Sequence, residues 1–403
     1  MPTQAPLAAT DHPPSYSPSD VAEGGSATTA HDSEVREQTP PRVWVLISDK
    51  RGDDSQSEII ARSLGWPYEV KQLRFTAKAD ALKAKPCEAS SDGLDPTCRH
   101  LIQPPWPDLV ISAGWQQEPV ARWIKSRSGG LTKLVQLNRP YGIDDFDLII
   151  VPPQHAVPNR DNVLRLKLPL HRKDDVDALA EAAAAWQARF EPRPRPWIAV
   201  MIGGPTPPFV MDDTTVDKLM ADCRADAARL GGTLFVTTSP RTPESALPRI
   251  EAGLGPDDFL HLWRRGQTEN PYLGLLALCD RFMVTADSPS MISEIIHLGK
   301  AVSVYPLPQR LSHIKRVKRL AQRLVHGLYP GSEQFGPLHR RLSDWANRRL
   351  QLRYHRDLDY FRRWVIHQGW ASARIEAEPK LAQAPDDLEQ VSQRVRALVE
   401  QRF

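Results

Sequence analysis

Short apolar runs rich in β-branched residues alternate along most of this chain with stretches whose apolar positions recur every three or four residues. That is the pattern of a parallel α/β sheet. The first run is Val43–Ile47. A polar turn and a helical stretch over Gln56–Leu64 follow, with Ile59, Ile60, Ala61 and Leu64 apolar and Gly65 as the stop. Further strands are predicted at Asp108–Ser112, Lys133–Leu137 and Asp147–Val151, with Pro119 suited to the first turn of a helix after Ala113-Gly114. Residues 77–107 are polar and proline-rich and read as an inserted loop.

A second unit of the same kind starts at Trp197–Ile202. It continues through a helix near 214–230, strands at Thr233–Thr238 and Arg281–Thr285, a helix near 290–298 and a strand at Ala301–Tyr305. An Ala-rich helix, Asp175–Phe190, and the proline-rich Glu191–Pro196 stand between the units. The expected fold class is therefore α/β, with two Rossmann-type lobes facing a cleft and a helical, basic C-terminal region. The expected segments are a tail at 1–41, a first lobe at 42–173, a linker at 174–196, a second lobe at 197–308 and the C-terminal region at 309–403.

Charge changes the picture at both ends. The chain has 52 Lys and Arg against 49 Asp and Glu, a formal +3 over 403 residues. The first 41 residues hold six acids, one Arg and seven prolines, a composition that cannot offset its ordering entropy and reads as disordered. Residues 309–363 hold fourteen Lys and Arg against four acids, interleaved with aromatics. A near-neutral total excludes a bulk polycation, and no recognisable nucleic-acid module surrounds these arginines, so no nucleic acid is expected as partner. The basic stretch suits an anionic membrane surface, or simply a solvated helical face.

The chain has no apolar run of about 18 residues that would span a bilayer, and its start lacks the features of a signal peptide. Cys87, Cys98, Cys223 and Cys279 show no C-x-x-C spacing. The expected location is cytoplasmic, with peripheral attachment to the inner face of the cytoplasmic membrane.

In open α/β sheets ligands sit at the carboxyl ends of the strands, which directs attention to five loops. Val284–Glu294 reads as a strand, a hydroxyl-rich turn and a helix whose first turn holds Ser290 and Ser293, an anion site by its free N–H groups and dipole. Glu294, one turn in, could accept from vicinal ribose hydroxyls; Asp287 or Ser288 could equally be a plain N-cap. Gly203 and Gly204 permit close approach of backbone to phosphate, or only a turn. Thr237–Thr242 brings four hydroxyl groups and Arg241 to a strand end. Asn270, in Asn270-Pro-Tyr272, could reach a base edge or open a turn. In the first unit Ser48–Gln56, with Lys50, Gly52 and Gln56, could place an acceptor, and Asp53 or Asp54 could serve as general base. Gly114 belongs to the same side. There is no dinucleotide glycine motif, no P-loop and no metal-ligand spacing.

Taken in order, Trp44–Asp53 with Gln56, Phe146–Pro153, Ile202–Pro205, Asn270–Leu276 and Val284–Glu294 resemble the "elongated mitochondria" mitochondrial-fission family over residues 42–308. The resemblance implies a GT-B glycosyltransferase-like fold. The plant member acts in recruiting a dynamin-related protein to mitochondria. Asp287–Glu294 followed by Gly299 is also similar to the donor turn of the peptidoglycan N-acetylglucosaminyl transferase, which implies a ribose-binding role for Glu294. The chain departs from the family at Pro240, at Trp115–Glu118 and at His155-Ala156.

The expected activity is metal-independent glycosyl transfer from a nucleotide-diphosphate sugar, with no other cofactor, to an envelope or lipid-linked glycan. Gly203, Gly204, Ser288 and Ser290 would meet the diphosphate, Arg241 its charge, Glu294 the ribose and Asn270 the base. Lys50, Gly52, Gln56 and Gly114 would line the acceptor side, with Asp53 as base. A non-enzymatic adaptor on the same fold is the alternative, and a sugar-nucleotide epimerase a third reading.

Overall fold

The computed structural model describes residues 40–48, 51–82, 88–171, 176–326, 337–350, 352, 354–375 and 382–400. The tail reading therefore lies outside the described residues up to position 39, as do Lys50 and Cys87.

The first lobe is a sheet of six parallel strands: β1 (Val43–Ile47), β2 (Tyr68–Gln72), β3 (Leu109–Ala113), β4 (Lys133–Leu137), β5 (Leu148–Val151) and β6 (Val163–Arg165), in the order β2-β1-β3-β4-β5-β6. The register sets Val43 beside both Tyr68 and Leu109. Helices α1 (Arg51–Ser63), α2 (Ala77–Leu82) and α3 (Glu118–Arg127) complete this lobe. Residues of β1, β3, β4 and β5 are almost wholly buried because both sheet faces are covered. The stretch read as an inserted loop is instead packed: Leu94, Cys98 and Ile102 lie in the core against Trp44 and Leu73, with Pro96–Ile102 a 3₁₀ turn capped by Asp95.

After the link α4 (Val176–Phe190), the second lobe has five parallel strands: β7 (Trp197–Ile202), β8 (Thr233–Thr238), β9 (Phe259–His261), β10 (Arg281–Thr285) and β11 (Ala301–Tyr305), in the order β11-β10-β7-β8-β9. Its helices are α5 (Asp213–Leu230), α6 (Leu247–Ala252), α7 (Tyr272–Leu278) and α8 (Pro289–His297). α5 is bounded as its sequence dictates: Asp212 caps the Thr215 N–H, and Gly231 closes it in the left-handed conformation at φ 65°. α4 packs into this lobe, with Trp186 and Phe190 in the core and Gly274 of α7 making room for the Trp186 ring.

The C-terminal region is α9 (His313–His326), α10 (Pro337–Arg349), α11 (Leu358–His367) and α12 (Leu388–Glu400), and it is shared between the lobes. α11 buries Leu358, Phe361 and Val365 in the second core. α12 returns to the first lobe, where Val391, Val395 and Val399 pack with Ile59, Ile60 and Leu64. Its Ser392 hydroxyl donates to Ser63, at 2.7 Å. Two Rossmann-like parallel sheets joined in this way form a GT-B-like fold. No helix among the described residues is long and apolar enough to cross a membrane.

Candidate functional site

Both sheets reverse their winding direction at a point fixed by strand order, and crevices open at such points, at the carboxyl ends. In the second lobe the reversal lies between β7 and β10. The loops there are Gly203-Gly204 and Ala286–Ser288, with the β8 loop, Ser239–Thr242, alongside.

One carboxylate ties these loops together. Asp287 is buried, and its oxygens accept from the Gly204 N–H at 3.0 Å, the Thr285 hydroxyl at 2.6 Å, the Arg241 guanidinium at 2.6 Å and the Ser288 hydroxyl at 3.2 Å. The Thr285 hydroxyl in turn accepts from the Gly203 N–H at 2.8 Å. Arg241 also donates to the Ser288 hydroxyl at 2.8 Å. The Ser239 and Thr242 hydroxyls donate to the Gly203 carbonyl at 3.0 and 2.6 Å.

Close approach requires both glycines. A Cβ on Gly203 would lie 2.3 Å from the Asp287 carboxylate, and one on Gly204 would lie 2.2 Å from the Arg241 carbonyl. The N-cap reading of Asp287 and Ser288 is corrected here. Ser288 occupies the cap of α8 but makes no side-chain cap bond, and the Asp287 carboxylate serves the loops instead. Ser290 is exposed in the first turn of the helix.

One turn along α8, Glu294 accepts a hydrogen bond from the Tyr272 hydroxyl at the start of α7. Burial, then the neighbouring Glu294 charge and this bond, push the Tyr272 phenol well above its ordinary range. No role for the Tyr272 hydroxyl is legible in the sequence. Asn270 is exposed, and its side-chain oxygen accepts from the Tyr272 N–H at 3.0 Å, so this group opens the turn into α7. Nearby, burial lowers the pKa of His261 at the end of β9, which lies 3.3 Å from the Thr237 hydroxyl.

In the first lobe the reversal lies between β1 and β3. Gly114 stands there at φ 80°, a conformation that favours glycine. Asp54 accepts from the Ser48 N–H at 2.9 Å and from the Gln117 amide at 3.4 Å, and Gln117 accepts from the Ala113 N–H at 2.7 Å. These contacts hold the β1 and β3 loops together as Asp287 does in the other lobe. Gly52 and Asp53 lie in the first turn of α1, where the side chain of Asp53 is outside the described residues.

Gln56 turns to the chain's own backbone. It is buried, its amide donates to the Leu170 carbonyl at 2.6 Å and its oxygen accepts from the Leu170 N–H at 2.7 Å. His155 is buried where the 354–357 segment docks beyond β5, with Arg356 bridged to it and the Ala156 N–H donating to the His355 carbonyl. Among the described residues no group of His, Cys, Asp and Glu is placed to hold a metal ion. The structure thus brings Gly203, Gly204, Arg241 and Ser288 together and puts Glu294 on the same helix, whereas Gln56 is engaged with the interlobe segment.

Residues 51–351 match the family model for mitochondrial fission ELM1. The mitochondrial fission protein ELM1 of Arabidopsis thaliana is 30% identical over 240 residues, covering 54% of this chain and 56% of that protein, so the match spans little more than half of the plant protein's length. An uncharacterized protein of Rickettsia prowazekii is 21% identical over 327 residues, covering 71% of this chain and 90% of that one. Among solved structures, the UDP-GlcNAc 2-epimerase of Methanocaldococcus jannaschii aligns with a TM-score of 0.47 at 10% identity, covering 89% of this chain and 99% of that one. The family match extends over most of the chain, from α1 through α10. The chain belongs to the mitochondrial fission ELM1 family.

Proposed function

We infer that this chain binds a nucleotide-diphosphate sugar at the carboxyl ends of β7, β8 and β10 and transfers the sugar to an acceptor held by the first lobe. The observation that carries this reading is the convergence of Gly203-Gly204, Arg241 and the N-terminus of α8 on one point, with Glu294 one turn along the helix.

The roles follow from chemistry. Free N–H groups at the start of α8 and the Arg241 guanidinium meet the diphosphate, so leaving-group charge is met by the protein's own groups. Glu294, oriented by Tyr272, accepts from the ribose hydroxyls. In the transfer step the sugar carbon–oxygen bond to the diphosphate breaks and a bond to an acceptor hydroxyl oxygen forms. The hydroxyl proton passes to a carboxylate of the first lobe, which we assign to Asp53, and the nucleoside diphosphate leaves. The acceptor class in this reading is an envelope or lipid-linked glycan.

A second reading, a non-enzymatic adaptor on the same fold, is favoured by one observation. The guanidinium assigned to the diphosphate is already paired with Asp287. Thermal stabilisation by a panel of UDP-, GDP-, ADP-, CMP- and dTDP-sugars separates the two. A donor at about 100 times its dissociation constant adds about 2.7 kcal/mol to stability. A shift with one nucleotide that disappears in Glu294→Ala supports the transferase. No shift with any member of the panel leaves the adaptor.

A further inference from the structure

α9 is built the wrong way round for a helix at a water surface. At 3.6 residues per turn, Ile314, Val317, Leu320 and Leu324 fall within about 120° of one another and form a continuous apolar stripe. A surface helix of a globular protein turns such a stripe to the core. Here the four side chains are between 58% and 82% exposed. The side packed on the protein is the charged one: Arg319 and Arg323 both donate to Asp357, at 2.9 and 3.0 Å. α10, packed beside α9, also exposes Leu338, Leu342 and Trp345 at helical spacing on one face.

We propose that α9, with α10 beside it, docks this protein flat on a bilayer containing anionic lipid, the stripe entering the headgroup–acyl boundary. Charge selects the occupant. Arg316 and Lys318 flank the stripe on its two edges and are exposed, with Lys315 exposed one position before Arg316. Apolar depth bordered by cations is the pattern of an interfacial helix. A second copy would set the exposed Lys315, Arg316 and Lys318 against their own counterparts. Nucleic acid would take the cations but leave the stripe in water.

The position of the helix gives the docking a purpose. The segment before α9 pairs with the loop after β7: the Val210 N–H donates to the Pro308 carbonyl at 2.9 Å, and the Arg310 N–H to the Pro208 carbonyl at 3.0 Å. The membrane face therefore continues from the loop that carries Gly203 and Gly204. That a lipid-linked acceptor is delivered to this side rests on the transferase reading; the docking itself does not.

The test is sedimentation of the full chain with vesicles of phosphatidylcholine alone and of phosphatidylcholine with phosphatidylglycerol. Binding is expected to the second only. The triple variant Ile314→Ser, Val317→Ser, Leu324→Ser changes exposed positions, so its circular dichroism should match the wild type while vesicle affinity falls by about tenfold or more. Equal binding by the triple variant overturns the proposal, as does absence of binding to the anionic vesicles. So does a wild-type dimer in sedimentation equilibrium that the triple variant turns into monomer. Nucleotide-sugar stabilisation is read on the same two proteins. If no donor stabilises either, but vesicle binding is lost in the triple variant, the transferase reading fails and the docking stands.

Discussion

The guanidinium of Arg241 lies 2.6 Å from a carboxylate oxygen of Asp287, joining a half-exposed cation to a fully buried anion across two loops. The asymmetry separates their substitutions. Asp287→Ala strips a common acceptor from the Gly204 N–H, the Thr285 and Ser288 hydroxyls and Arg241, and should cost about 3 kcal/mol or more in chemical denaturation. Arg241→Ala leaves three donors on that carboxylate and admits water, with an expected cost of about 1–2 kcal/mol. The milder variant should nonetheless lose nucleotide-diphosphate binding. Equal costs for the two would mean that Asp287 is not the organiser of the loops.

The Tyr272–Glu294 bond makes a finer prediction. Tyr272→Phe keeps the ring and removes the donor that orients Glu294. Donor affinity in isothermal titration should weaken by roughly threefold to tenfold, as expected for one hydrogen bond, while Glu294→Ala removes binding altogether. Unchanged affinity in Tyr272→Phe would show that the bond serves packing alone.

Glycine at 204 is a steric requirement. With a Cβ 2.2 Å from the Arg241 carbonyl, Gly204→Ala must push the β8 loop away, and overpacking of this kind costs about 1–3 kcal/mol. Gly130→Ala provides a comparison in which nothing lies near the added methyl, although its backbone at φ 84° disfavours alanine. The two lower the melting temperature for different reasons. Only the first should also impair donor binding.

Asp357 sets an acid limit on the C-terminal region. Burial alone would raise its pKa, but the Tyr360 N–H, Arg319 and Arg323 outweigh that and hold it below the ordinary carboxyl value of 3.8. A depressed folded-state pKa gives stability that is fully present above the unfolded value and is lost as pH falls through the folded one. Unfolding free energy should therefore decline with acid below about pH 4, and Asp357→Asn should flatten part of that slope. A slope identical to wild type would remove Asp357 from the account.

The central strands are legible in the sequence because both faces of each are covered, leaving short, mostly apolar runs. Val43–Ile47, Lys133–Leu137, Trp197–Ile202, Thr233–Thr238 and Arg281–Thr285 are strands as read. The strands that escaped notice, β2, β6 and β9, all stand at sheet edges. An edge faces solvent: β2 places a single aliphatic residue, Val70, among Tyr68, Glu69, Lys71 and Gln72. In the site, Gly203, Gly204 and Arg241 could be singled out because loop positions at strand ends are read from topology. The engagement of Gln56 with Leu170 could not, since the partners are 114 residues apart and the bond is to backbone. Local spacing shows the helix start at Asp287-Ser288 but not the loops that reach the Asp287 carboxylate. α9 was visible as basic, but which side it turns inward depends on Asp357, a residue beyond the next helix.

Two adjacent residues in the passage between the lobes are held from opposite sides. The Pro169 carbonyl accepts from Ser293 of the second lobe at 2.6 Å, while Leu170 is clasped by Gln56 of the first. The Lys167 N–H donates to Asp387, so the later passage, towards α12, runs beside the earlier one. This is a fulcrum two residues long. Rocking of one lobe against the other would turn the chain between Pro169 and Leu170 and would also strain the later passages on either side of α11, with the strand-end loops as the far ends of two levers.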